Sequence, residues 1–327
     1  MTEVVYMPEP EVEEPPRRQN RFVTALLVVA VGVFCVFSAF RLLGFDGNAY
    51  VAAALALTPY VAVAGVLLTA ITLLLRRWAT GIVVFAVAAV LVAAMLPRTM
   101  SADQPDATGA ELRVMSANLY FGRADVGHVV QLVRNHRIDV LSLQELTPAA
   151  VGALDRAGLF AELPHRVFHA MPGASGTGIA ARYPLRERQL AGPALHAQPA
   201  ALVDLPGHAD AEVVAVHPLT PVHDFEAWQR ELAGLPGVDT QGPPRLLVGD
   251  FNASLDHRAF RDILRKGYSD AADAVGEGLS MTWSQSRWPP VAIDHVLADF
   301  RYAVREFQVF DLPGSDHDPI YARVQLP

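Results

Sequence analysis

Residues 245–254 read RLLVGDFNAS. Leu246, Leu247 and Val248 form the short apolar run that a buried strand needs, and Gly249 lets the backbone turn without a side chain in the way. Asp250 and Asn252 follow at once. A carboxylate and a carboxamide two residues apart, where a core strand ends, can point into one cleft: an acceptor for a metal or proton beside a neutral donor for an oxyanion. The plainer alternative is that Asp and Asn merely shape a turn. What decides between the two is whether other polar residues stand at comparable strand ends.

Outward from this stretch, the composition divides the chain of 327 residues in two. Phe22–Phe40, Tyr50–Leu75 and Trp78–Leu96 are nearly unbroken apolar runs without a charge. Each reaches the roughly 18 to 20 residues that cross a bilayer, and none has the polar face of a soluble core helix. Three transmembrane helices are therefore expected over residues 22–97. They follow a Glu- and Pro-rich cytoplasmic tail over 1–21 that lacks apolar periodicity and reads as disordered. Arg17, Arg18 and Arg21 precede the first run, and Arg76 and Arg77 lie between the second and third. By the positive-inside rule the tail and the second loop face the cytoplasm, and everything after Leu96 lies outside. Arg98 is a contrary charge, and Arg41 and Asp46 sit in the first loop.

Residues 98–110 read as a polar, turn-rich linker, leaving 111–327 as a soluble domain. The only cysteine, Cys35, falls within the first apolar run, so the outer part has neither a disulfide framework nor a thiolate site. From Ser101 onward, 19 Lys and Arg face 28 Asp and Glu, an acidic balance that repels a nucleic-acid backbone. Lys266 is the single lysine of the chain.

Periodicity predicts a strand ending at Asn118, a helix capped by Asp125, a strand over 138–143 and a helix opened by Thr147-Pro148. Four strands then follow over 165–217, joined by Gly- and Pro-containing turns. A helix over 224–233, the RLLVGD strand, a helix over 256–265 and three closing strands complete the domain. Mixed strands and helices with several hairpins imply an α+β fold of two packed sheets covered by helices.

Polar residues recur at the ends of these apolar segments. Glu145 follows LSLQ, and His217 follows VVAV ahead of Pro218. Asp294 stands in the middle of VAIDHVLA, where a carboxylate needs a cation, an imidazole or several donors. His295 faces the other side by strand alternation and reads as structural. Asp316 and His317 precede the last strand, with Asp318 beside them. For any one of these a cap, a satisfied histidine or a polar turn is the common fate. Eight such residues, with Asn118, Asp250 and Asn252 among them, on six apolar segments or their ends, are not explained that way.

The succession SANLYFG, LSLQEL, GTGIAARYPL, VAVHPL, VGDFNAS, AIDHVLA and SDHDPI resembles the endonuclease/exonuclease/phosphatase (DNase I-like) family across the whole outer domain. The resemblance implies a four-layer α/β/β/α sandwich with the site at one rim. It also implies that Glu145 is the principal metal carboxylate, with Asn118 and Asp316 completing or orienting the metal shell. Asp250 would position or deprotonate water, Asn252 would donate to a phosphoryl oxygen, His317 oriented by Asp294 would form a second dyad, and His217 would contact phosphate. All-oxygen ligation suits Mg²⁺ or Mn²⁺, which would relieve the repulsion among converging carboxylates. Three spans followed by this domain also resemble family members linked to teicoplanin-type glycopeptide resistance.

The expected protein is thus a multi-pass cell-membrane phosphohydrolase whose site faces outward and whose substrate is phosphorylated and lipid-linked. Nucleic acid is less favoured, and no obligate protein partner is evident. Its competitors are an extracellular nuclease and a non-catalytic membrane binding protein.

Overall fold

The computed structural model describes residues 21–207, 210–284 and 288–327. The expected tail lies outside the described residues except for Arg21, which opens the first helix. Four helices come first: α1 (Arg21–Leu43), α2 (Ala49–Leu55), α3 (Thr58–Leu74) and α4 (Trp78–Met95). The mixed α+β part begins with β1 (Glu111–Asn118), α5 (Val126–Asn135), β2 (Val140–Gln144), α6 (Pro148–Ala157) and α7 (Leu159–Glu162). Strands β3 (His165–His169), β4 (Thr177–Ala181), β5 (Leu185–Arg188), β6 (Ala200–Val203) and β7 (Ala211–Val216) follow. The chain then runs through α8 (Phe225–Ala233), β8 (Arg245–Asp250), α9 (Arg258–Leu264), β9 (Tyr268–Asp270) and α10 (Ala271–Ala274). It closes with β10 (Asp294–Asp299), β11 (Ala303–Val309) and β12 (Ile320–Gln325).

The strands form two six-stranded sheets, ordered β11-β12-β1-β2-β4-β3 and β5-β6-β7-β8-β10-β9. Each is built on the same plan. β1 and β2 pair in parallel across α5, as do β7 and β8 across α8, and each unit has an antiparallel neighbour, β12 on β1 and β10 on β8. Strand alternation sorts the side chains. Leu112 and Val114 join Val213, Leu246 and Val248 between the sheets, while Met115 and Ala117 of the same strand, with Leu119 just after it, pack with Val129, Val133 and Leu154 under α5 and α6. Val214, Leu247 and Leu297 do the same with Trp228, Leu232 and Phe260 of α8 and α9. The result is an α+β sandwich of two sheets with helices on the outer faces.

Local chemistry sets the helix starts. Asp125, Thr147 and Asp224 accept the backbone N–H of His128, Ala150 and Ala227, each cap worth about 1 kcal/mol. Two strand expectations need correction. Asp294 opens β10 instead of lying mid-strand, because Thr282 Oγ1 accepts the N–H groups of Ile293 and Asp294 and takes them out of the ladder. Strand β5 is additional, an edge strand whose sequence LRER carries no apolar alternation for a pattern to detect.

The apolar region also differs from expectation. Two helices, Arg21–Leu43 and Trp78–Thr99, are long and apolar enough to cross a membrane, whereas the middle run is split into α2 and α3, bent by 71°. Pro59 explains the break. It has no N–H for the carbonyl of Leu55, and its ring would clash there in a continuous helix; Thr58 Oγ1 donates to Leu55 O at 2.7 Å instead. By itself α3 is about 26 Å long, close to the roughly 30 Å of a hydrocarbon core.

One end of this helical region is fastened to the sandwich. Arg41, in the last turn of α1, and Arg98, in the 3₁₀ turn after α4, both donate to Asp256, at 2.5 and 2.7 Å. Asp46 accepts the N–H groups of Arg258 and Ala259 at the start of α9. Tyr60 donates to Pro290 O. The two charges that sit awkwardly in the sequence, Arg41 and Arg98, thereby share one carboxylate partner. At the other end Arg77 donates to Thr24 of α1. The stretch expected as a linker lies along the sandwich, with Gln104 accepting from Val304 N and donating to Ala274 O.

Candidate active site

The shared plan of the sheets explains why distant residues meet. Parallel strands β1, β2, β7 and β8 deliver the residues at their carboxyl ends to one rim, and β10 and β12, running the other way, deliver what stands at their beginnings. Asn118 ends β1, Glu145 follows β2, His217 follows β7, and Asp250 ends β8 directly opposite Asp294 in the β8–β10 register. Asp316 and His317 precede β12. Gly249 is required here, since a Cβ would lie 2.0 Å from Val216 O.

All eight residues singled out in the sequence share this neighbourhood. Asn118 Nδ2 is 3.2 Å from Asp250 Oδ2 and 3.4 Å from Glu145 Oε1. Glu145 Oε2 accepts Phe121 N–H at 2.6 Å, and Asp250 Oδ1 accepts Asn252 N–H at 2.8 Å. His317 Nδ1 is bonded to Asp294 Oδ2 at 2.9 Å, and Thr282 Oγ1 donates to the same oxygen. The Nε2 atoms of His317 and His217 lie 3.6 and 3.9 Å from Asp250 Oδ2. Asn252 Nδ2 donates one N–H to Pro218 O, leaving its second N–H for another acceptor.

The backbone is strained at the same place. Tyr120, Phe121, Glu145 and Asn252 have φ of 45, 57, 54 and 47°, four of the six described non-glycine residues with positive φ. Strain of this kind costs on the order of 1 kcal/mol per residue or more and collects where a side chain must be aimed.

Electrostatics mark the rim as unbalanced. Burial pushes the Asp250 carboxyl up to about 7 and also raises Glu145. Burial opposes the charge on His317, but Asp294 and Asp250 together drive its imidazole up to about 10. His217 moves the other way: burial, then the neighbouring imidazoles of His196 and His317, hold it well below its usual range. Asp316 Oδ1 is buried with no hydrogen-bond partner among the described residues, as is His217 Nδ1.

This donor set fits a hard divalent cation. The carboxylates of Glu145 and Asp316 are close enough for their charges to interact, and the orphaned Asp316 Oδ1 lacks the positive partner that a buried carboxylate requires, while Asn118 turns Nδ2 towards Glu145 and its Oδ1 to Tyr120 N–H. Asp250, Asp294 and His317 form an overlapping group whose ligand atoms lie within 4.8 Å of one another. His295, read as structural, does bond elsewhere, to Asp270 at 2.7 Å and to Ala253 O at 2.9 Å.

Other contributors carried no recognisable sequence signal. Thr282 and Trp283, whose Nε1 donates to Asp316 Oδ2, come from an irregular segment, and His196, 4.6 Å from His217 between ring centroids, lies in a loop. Less expected still, the site opens into a cleft of about 770 Å³ that Ala52, Ala53, Ala56 and Leu57 of the α2–α3 bend also line.

Comparison with known proteins agrees with this geometry. The family described as Endonuclease/Exonuclease/phosphatase matches residues 115–317. No curated protein matches the chain. Among solved structures, an endonuclease/exonuclease/phosphatase from Beutenbergia cavernae is similar at 20% identity and a TM-score of 0.52, covering 66% of this chain and 72% of that one. A humanized D. rerio TDP2 gives 17% identity and a TM-score of 0.52 over 66% of this chain and 99% of its own. D. rerio TDP2 complexed with single strand DNA product gives 16%, 0.53, 66% and 99%. At such identities these likenesses establish the fold.

Proposed function

The chain belongs to the endonuclease/exonuclease/phosphatase family, and from that premise we propose that it is a membrane-tethered, metal-dependent phosphoric ester hydrolase acting on a lipid-linked phosphoester or pyrophosphate outside the cytoplasmic membrane. The observation that carries the catalytic part is the meeting of eight polar residues from six strand ends at one buried, charge-unbalanced rim.

Glu145 and Asp316 would hold Mg²⁺ or Mn²⁺, with Asn118 orienting the shell through Nδ2. Such an ion, when bound, neutralises charge developing on the phosphoryl oxygens. Asp250 takes the proton of the attacking water, since a carboxylate raised to about 7 is matched to neutral pH as a base. His317, fixed through Nδ1 by Asp294, presents a cationic Nε2–H towards the phosphoryl group. Asn252 donates its remaining N–H to a phosphoryl oxygen, and neutral His217 donates or accepts without adding charge.

The lipid part of the proposal is supported by the apolar helices beside the cleft and by the absence of any Lys or Arg among its described lining residues. A polyanionic strand needs several phosphate contacts, whereas one lipid headgroup needs only the reacting one. Orientation follows from Arg76 and Arg77 at the end of the helical region away from the sandwich, and a contribution to glycopeptide resistance is part of this reading.

The test is hydrolysis of bis-p-nitrophenyl phosphate by the full chain in detergent with Mg²⁺ or Mn²⁺, then with chelator. Glu145→Ala and His317→Ala should each lose about 10²–10⁴ in kcat. Equal rates in all three proteins, or no effect of chelator, would remove the catalytic reading. Lipid pyrophosphate and single-stranded oligonucleotide assayed side by side separate the lipid proposal from a nuclease.

A further inference from the structure

The bend between α2 and α3 is a built feature. Asn48 caps α2 by accepting from Tyr50 and Val51 N–H, and Leu57 N–H closes a turn on Ala54 O. At the other end of α2, the carbonyl of Ala52 lies among the last four of the helix, which lack helical partners. His257 satisfies it. Ser254 N–H donates to His257 Nδ1, so the ring proton sits on Nε2 and is donated to Ala52 O at 2.7 Å. Together with Asp46 at α9 and Tyr60 at Pro290, this holds the bend against the sandwich from both sides.

The wall so fixed is apolar and small. Ala53 is exposed, Ala56 and Leu57 are half-buried, and all three line the cleft that also contains Glu145, Asp250 and His317. Other lining residues keep large apolar surfaces in solvent: Val222 is 62% exposed and Trp288 90%. Exposed apolar side chains gathered at a cleft mark a binding surface. About 770 Å³ is far more than a lone phosphate fills. The bend, moreover, joins two stretches of the apolar helical region.

We infer that the α2–α3 bend is the subsite for the hydrocarbon of an amphipathic phosphoester, with its phosphate on the rim and its first chain carbons on Ala53, Ala56 and Leu57. This rests on the phosphohydrolase reading and adds the part of the chain that selects the substrate. The small side chains leave room for the tail, and the substrate reaches the rim sideways from the bilayer.

Two measurements test it on the full chain in nanodiscs. The first follows kcat/KM for phosphomonoesters of alcohols of increasing chain length. Each methylene seated on the wall should add up to about fourfold until the wall is covered. Ala53→Trp should reduce the long-to-short ratio at least tenfold, and a ratio near one in the wild type, or one untouched by the substitution, overturns the proposal. The second does not depend on turnover or on a variant's folding: an alkyl phosphonate with a diazirine in its chain is photolysed with the wild-type protein. Labelling at residues 53–57, displaced by unlabelled alkyl phosphonate and not by equimolar inorganic phosphate, is the expected result. Labelling confined to α1 and α4, or displacement by single-stranded oligonucleotide, refutes it. Were no phosphoester cleaved while residues 53–57 were still labelled, the hydrolase reading would fall and the lipid subsite would stand.

Discussion

Asp250 and Asp256 are both 2% exposed and stand at and just beyond the end of β8, yet they occupy opposite electrostatic situations. Asp256 receives Arg41 and Arg98; burial works against its charge, but hydrogen bonds and charge from Arg98, then Arg41, bring its carboxyl below the usual range. Burial, with Asp294 and Glu145 nearby, holds Asp250 up near 7, although an amide from Asn118, a backbone N–H from Asn252 and the His317 imidazole face it. A carboxylate that has two guanidinium partners serves the structure. One that shares a single imidazole with Asp294, next to other carboxylates, is arranged for something that binds.

The largest expected effect breaks the comparison on the Asp250 side. Asp250→Asn should lower kcat by about 10³–10⁴, while metal-free thermal stability holds or rises, because a buried and poorly compensated acid has been replaced by its neutral isostere. Kinetics and a melting curve on one preparation check both halves; a variant that loses activity only by unfolding would make Asp250 another structural acid. Next comes the Asp256 side. Asp256→Ala strands two arginines whose side chains are 10% and 8% exposed and should cost about 3–5 kcal/mol, with kcat of the folded protein within about threefold of the wild type. A hundredfold loss in kcat at a temperature where the variant is folded would erase the distinction.

The smallest effect concerns pH. Because the folded-state pKa of Asp256 is lowered, its contribution is present above the ordinary carboxylate range and is lost as pH falls through that lowered value. Wild-type melting temperature should therefore fall more steeply below about pH 4 than that of Asp256→Asn. Parallel acid limbs would show that the arginines bring it no net stability.

Much of the rim is legible in the amino-acid sequence. Strand ends are local events, and Asn118, Glu145, His217 and Asp250 can be found because each follows or closes an apolar run whose period is a backbone property. Asp294 stands out as a carboxylate among apolar residues, but its place at the start of the strand does not, since nothing in VAIDHVLA announces that Thr282 captures two of its backbone donors. The Thr58-Pro59 pair does hold the signal for the helix break, yet a largely apolar, uncharged stretch of twenty-six residues outweighs it.

From sequence alone come the division into an apolar region and a mixed α+β domain, the helix caps, and the identities of the residues on the rim, because these depend on neighbours within a few positions. Only tertiary structure decided that six strand ends face one another, that Trp283 and His196 join them, and that Arg41 and Arg98 meet on Asp256. It also decided that the broken helix forms a wall of the cleft. Most of those contacts join residues far apart in the chain, set by how two sheets and a helical region pack, and no local pattern encodes them.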